Sequence, residues 1–288
     1  VSGMTKKDYK ILFQSKGKVL EISPASVCHL VEGGLSGFDC TFFDVATKSY
    51  SSAHGGYAAR RRFGERTLSV TFELEESTED IRRRIISMMD PGEDCVLDVY
   101  LYGKRRVIGV IPYEEARFER GTFFDMTEVT LTFIAPGVFF CSPEEENISF
   151  AETVPLFTFP MNLMKDAGTV GGIKKSSTSA EIYNDGDGEC GITVTIRAKG
   201  GSVVNPAAAM GGKKIRCLLT LADGDVLIID GRSRIKKLYK NGESVFCFDK
   251  DSVFFSLPAG KSTLNILCDS GSEYIEAGVR FTPIYFGM

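Results

Sequence analysis

The most restrictive stretch of the sequence runs from residue 127 to residue 143. Val129, Leu131 and Phe133 alternate there with Glu128, Thr130 and Thr132. A period of two sends one set to each face of an extended chain, which is the pattern of a strand with one side buried. Ala135-Pro136-Gly137 then ends the strand, because proline brings no N–H to a ladder and glycine favours a turn. Val138, Phe139 and Phe140 are too apolar to be left in water and are expected to pack at the corner, ahead of the charged exit Ser142-Pro143-Glu144-Glu145-Glu146. The stretch therefore marks the last strand of one β domain and the entry to a second. The expected domains are 1–140 and 141–288, two of ordinary size for 288 residues.

In the first domain, residues 9–13 before Gly17 suggest a strand and a turn. Residues 26–31 and 38–45 suggest two short strands on either side of Glu32-Gly33-Gly34. Residues 48–60, small and Gly-rich, are expected to be an extended loop or arm. Leu68, Val70, Phe72 and Leu74 alternate again within 66–74. One helix is expected at 78–89: Ser77 is placed to cap it, Glu79 and Asp80 suit its positive end, and Ile81, Ile85, Met88 and Met89 form one apolar stripe. Pro91-Gly92 stops it, and Arg82, Arg83 and Arg84 fall on its solvated face. Strands at 94–102 and 105–111 meet at Gly103-Lys104 as a hairpin.

The second domain shows no strong helical pattern. Strands are expected at 182–183, 192–198, 215–221, 226–229, 253–257, 264–268 and 275–281, separated by turns such as Asp223-Gly224-Asp225 and Asn241-Gly242. Many short strands with such punctuation indicate a β-sandwich. Residues 169–179, rich in Gly, Lys and Ser, suggest a surface loop. The fold class is mainly β: an N-terminal β domain with one helix and a C-terminal sandwich.

Chemistry is sparse. With 34 Lys and Arg against 38 Asp and Glu, the chain has no basic field for nucleic acid. No apolar run is long enough to span a bilayer, and the start shows no secretion signal. The eight Cys are scattered without a CxxC pair and are expected to be reduced, the better part of them buried. Cys28 and His29 are adjacent on a strand and so face opposite ways, which suits neither a nucleophile–base pair nor a metal. His54 lies in a small-residue loop. Asp185-Gly186-Asp187-Gly188-Glu189 lacks the rest of a calcium loop and is expected to be a plain turn. No nucleophile elbow, zinc-protease motif, P-loop or dinucleotide fingerprint is present. No enzyme activity, metal or cofactor is expected.

The order of the motifs resembles the siphophage distal tail protein family. Along the C-terminal half it is carried by Ile182-Tyr183-Asn184-Asp185-Gly186-Asp187, Gly200, Asn205-Pro206, Leu221 to Asp225, Leu227 to Asp230, Asn241-Gly242, Asp251 to Phe254, Leu257 to Asn265, Val279-Arg280-Phe281 and Tyr285-Phe286-Gly287. In the N-terminal half, Leu35-Ser36-Gly37, Gly55-Gly56, Arg66 to Val70, Arg105 to Val110 and Glu128 to Pro136 follow the family's looser pattern. The departure is Ala135-Pro136-Gly137-Val138-Phe139, where relatives have an Asp-Pro-aromatic step. The resemblance implies a tail-tube-like first domain that forms a hexameric ring between the tail tube and the tail-tip hub protein, with DNA only passing through. It implies a galectin-like second domain where receptor-binding or other baseplate proteins dock, and a virion location after synthesis in the bacterial cytoplasm. Against that background the loop residues His54, Gly55, Gly56, Tyr57, Arg60, Arg61 and Arg62 are the expected inter-subunit contacts, and Arg66 is a further candidate interface charge. The alternative is a lectin-like module that binds carbohydrate at the host cell wall.

Overall fold

The computed structural model describes residues 9–40, 43–75, 79–120, 127–155, 172–176, 178–232 and 235–288. The chain divides into two compact units, Val1–Pro143 together with Ile284–Met288, and Glu144–Pro283. This differs from the expected 141–288 domain at both ends. Phe140 and Cys141 form a strand that pairs with Tyr285 and Ile284, so the carboxyl end belongs with the first unit.

The first unit runs β1 (Lys10–Ser15), β2 (Lys18–Ile22), β3 (Cys28–Ser36), β4 (Phe43–Ser49), β5 (Gly56–Phe63), β6 (Arg66–Leu74), α1 (Glu79–Met88), β7 (Cys95–Leu101), β8 (Lys104–Pro112), β9 (Arg117–Arg120), β10 (Thr127–Ala135) and β11 (Phe140–Cys141). Its main sheet has the order β2-β1-β7-β8-β10-β6-β3. The turning point is β8. Its first part pairs with β7, whereas Ile111 and Pro112 pair with Ile134 and Phe133 of β10. The sheet folds back there, so Phe13 of β1 meets Phe133 of β10 with ring centroids 4.9 Å apart, although two strands separate them in the sheet.

The expected alternations form the walls of this core. Leu68, Val70, Phe72 and Leu74 of β6 and Val129, Leu131 and Phe133 of β10 are all buried. Ile85 and Met88 of α1 close the core from one side, while Ser77, the expected cap, lies outside the described residues. The helix arginines are exposed, as expected, and two of them also reach neighbouring groups. Arg84 donates to the Val19 carbonyl at 2.8 Å, and Arg82 sits over the Phe118 ring at 4.4 Å.

Glu32-Gly33-Gly34 does not separate two strands. It lies inside β3, where the register against β6 shifts between Leu30 and Leu35. Gly33 has φ +74°, and a Cβ on Gly34 would collide with the Thr71 carbonyl. Glycine here permits a bulge and a close crossing rather than a stop. The β7–β8 turn is Tyr102-Gly103, one residue earlier than expected, with both residues at positive φ as a tight hairpin requires.

The second unit is built on two main sheets, with two further two-stranded pairs among the described residues. One sheet orders Glu146–Ser149, Ile275–Phe281, Ile192–Ala198, Val226–Asp230, Lys237–Lys240 and Glu243–Val245. The other orders Ser179–Asn184, Gly260–Leu267, Ala207–Met210 and Lys213–Arg216. Val194, Ile196, Val279 and Phe281 of the first and Ile182, Ala208, Leu264 and Ile266 of the second are buried.

Three expectations fail in this unit. The expected strand at 215–221 is split, because Cys217 bridges to Phe248 and the Leu218 N–H turns to the Cys247 carbonyl at 2.7 Å. Residues 253–257 form no strand, and only Leu257 bridges, to Cys190. Within the expected loop at 169–179, Gly172–Ser176 pair with Ala151–Pro155 as strands; residues 169–171 and 177 lie outside the described residues.

Candidate assembly surface

β4 and β5 pair with each other and with no other strand of the described residues, forming a separate two-stranded ribbon. Register runs from Phe43↔Phe63 at the base to Ser49↔Gly56 near the tip, with a shift between Ala46 and Thr47. At the tip the Tyr50 N–H donates to the Gly55 carbonyl at 3.1 Å, which closes the turn that carries His54. Two glycines are needed there. Gly55 has φ +89°, and a Cβ on Gly56 would collide with the Lys48 carbonyl across the ribbon.

The base is held by aromatic packing. Phe63 meets Phe43 at 5.6 Å, Phe139 edge-on at 4.9 Å and Phe286 at 4.8 Å. The corner residues expected to dock do so, with Phe139 in this cluster and Phe140 fully buried. One face of the ribbon carries an ion network, in which Asp44 accepts from Arg62 at 2.6 Å and Arg60 at 3.1 Å. The Arg62 hydrogen bond, with Arg60 adding to it, holds the Asp44 carboxyl below its ordinary range.

The ribbon is nonetheless poorly covered. Phe43, Val45, Tyr50 and Tyr57 are each at least half exposed, and the Tyr50 and Tyr57 rings lie 5.8 Å apart. All seven residues expected from the sequence lie here, with His54 and Gly55 in the turn and Gly56, Tyr57, Arg60, Arg61 and Arg62 on β5, every one exposed. Phe43, Val45 and Tyr50 on the facing side were missed. Their alternation is short, and only the pairing to β5 reveals that they share its surface. Arg66 is different. It is 1% exposed, lies over the Phe140 ring and donates to the Phe286 carbonyl, so it is a core residue of its own unit and not an interface charge. Burial lowers its pKa.

The other sequence candidates resolve into structural roles. His29 Nε2 lies 2.8 Å from Glu75 Oε1, while Cys28 beside it is buried and its thiol is pushed up to about 11 by desolvation. His54 is exposed at the ribbon tip. The loop after Asn184 is built by that buried amide, which donates to the Gly188, Leu257 and Pro258 carbonyls and accepts from the Gly186 N–H. All eight cysteines are free; Cys28, Cys95, Cys190 and Cys217 are buried, and Cys40 is exposed. Among the described residues no group of His, Cys, Asp and Glu is arranged to hold a metal ion, and no helix is long and apolar enough to cross a membrane.

Comparison with known proteins adds the following. Residues 185–285 match the family model of the siphovirus-type tail component, C-terminal domain. No curated protein matches the sequence. Among solved structures, the fold is similar to the Dit (gp 19.1) protein of phage SPP1, described as a paradigm of the hub adsorption apparatus in phages infecting Gram-positive bacteria. That match has a TM-score of 0.68 at 15% identity and covers 96% of this chain and 99% of that one. A chain of the phage p2 baseplate, in its activated conformation with strontium, aligns over 96% of this chain and 98% of its own with 9% identity, but its TM-score of 0.42 is too low to carry an argument.

Proposed function

We propose that the chain is a structural hub component of a phage tail, of the siphophage distal tail protein family whose C-terminal-domain model matches residues 185–285, and that it forms a hexameric ring joining the tail tube to the tail-tip hub protein. The observation that carries the proposal is the β4–β5 ribbon, a self-paired arm with an aromatic base and exposed Phe43, Val45, Tyr50 and Tyr57. Tyrosine, phenylalanine and arginine are the side chains that protein interfaces concentrate, and an arm of this kind suits the flank of a neighbouring copy. His54, Gly55, Gly56, Tyr57, Arg60, Arg61 and Arg62 are the contacts we assign to that junction. Each contact in a closed ring should bury about 800 Å² per partner. The net charge of −4 suits a channel through which DNA passes without being held, since cationic contacts to phosphates would retard it.

The second unit is proposed to dock receptor-binding or other baseplate proteins. Phe246 supports this: it is 93% exposed and packs edge-on against Phe248 at 5.5 Å, which in turn meets Phe254 at 5.3 Å. An aromatic left this bare is a feature of surfaces that gain a partner. The ring is tested by light scattering and electron microscopy at high protein concentration. A particle of six 31.6 kDa chains is expected, and replacing both Tyr50 and Tyr57 by Ser should leave folded monomers. Rings that survive that double substitution would remove the arm from the interface, and a wild-type chain that stays monomeric with its tail neighbours present would overturn the proposal.

A further inference from the structure

We propose that the outer face of the six-stranded sheet in the second unit binds a short, uncharged saccharide chain in a trough over Gly278. Directly paired residues in a sheet share a face. The pairings Ser149↔Gly278, Gly278↔Thr195, Thr195↔Ile228 and Ile228↔Tyr239 therefore run one row across five strands. On one side of it stands the row Asn147, Arg280 and Thr193, and on the other Glu276 and Arg197. Because Gly278 has no side chain, the floor drops between these rims to leave a hollow of about 350 Å³, bordered by Asn147, Ser149, Thr195, Glu276 and Arg280. The rims are four residues apart along one strand, roughly 13 Å at a rise of about 3.3 Å per residue.

The lining determines the ligand class. Amide, hydroxyl, guanidinium and carboxylate groups border the hollow, a mixed set of donors and acceptors that matches sugar hydroxyls. Half-buried Ile228 and Tyr239 continue the floor and offer apolar surface, with an aromatic ring, to the C–H face of a pyranose. An anionic polymer is disfavoured, because the cations near the hollow have acids beside them: Arg280 lies 3.5 Å from Glu145, and Lys199 lies 2.8 Å from Glu276. A protein partner would seek an apolar centre, and no large exposed apolar side chain borders this hollow. The inference develops the lectin-like alternative and is independent of ring assembly.

Gly278→Val provides the test. A Cβ at this position would meet only the Ile148 carbonyl, at 3.5 Å, an ordinary contact. Valine suits a strand, so the fold should persist while the trough fills. The full chain is screened on an array of neutral gluco-, galacto- and N-acetylhexosamine oligosaccharides, and the strongest binder is titrated by calorimetry. Binding is expected, weakened at least tenfold by Gly278→Val and several-fold by Asn147→Ala, with circular dichroism and oligomeric state unchanged in both. The proposal is overturned if the wild-type chain retains no array sugar at millimolar concentration, or if Gly278→Val binds as the wild type does. Neither result bears on the ring, whose readout is particle mass.

Discussion

Gly287 shows how much rests on a single residue at the end of the chain. The Met288 N–H donates to the Phe38 carbonyl at 2.9 Å, and a Cβ on Gly287 would collide with the carbonyl of Asp39. Gly287→Ala should therefore force the terminus away and cost about 1–3 kcal/mol, seen as a lower thermal midpoint. Asp225 sets a different dependence. Its carboxylate accepts from Asn241 at 2.8 Å, from Lys240 at 2.9 Å and from the Ala222 N–H at 2.9 Å, and these bonds lower its pKa to about 2. A carboxyl whose folded pKa lies below its unfolded value adds stability that is fully present above the unfolded pKa, about 4, and is lost as pH falls through the folded one. Stability of the second unit should thus decline between about pH 4 and pH 2. Asp225→Asn should flatten that part of the denaturation profile and lower the plateau above it.

At the scale of elements, the bulge in β3 and the β4–β5 ribbon each depend on close backbone approach. Gly34→Ala would press against the Thr71 carbonyl and break the crossing onto β6. The expected signature is faster amide exchange in β3 and the middle of β6, with α1 unaffected. In the ribbon, Gly56→Ala would meet the Lys48 carbonyl and splay the tip without touching the aromatic base. Assembly should weaken while the thermal midpoint of the isolated chain stays within about 2 °C, as expected for an exposed hairpin outside the core.

At the scale of the molecule, the first unit is discontinuous in sequence. Its last strand, Ile284–Tyr285, arrives after the entire second unit. Arg66 donates to the Phe286 carbonyl and Arg106 to the Gly287 carbonyl, Arg106 lies 3.9 Å from the Tyr285 ring centroid, and Phe286 completes the cluster around Phe63. Deleting residues 284–288 should leave two buried or half-buried guanidinium groups without acceptors and uncover those rings. A fall of roughly 10 °C in the melting of the first unit is expected by calorimetry. Residues 144–283 expressed alone should still fold, whereas 1–143 alone should be unstable.

Local pattern determined most of the strands. Alternation in β6 and β10 and the matched runs at 192–198 and 275–281 leave one arrangement that buries all the apolar side chains at once, and the helical stripe ending in Met88 is equally unambiguous. Short or uniform segments were not legible. Ala207–Met210 has no alternation to detect, and Gly33-Gly34 has the composition of a break whether or not a partner strand runs beneath it. The seven ribbon residues could be picked from their small size and charge, but their facing partners Phe43, Val45 and Tyr50 could not. Only the tertiary structure placed Arg66 in the core and returned the carboxyl end to the first unit, because both depend on contacts between residues more than a hundred positions apart, which no periodicity in a linear chain records.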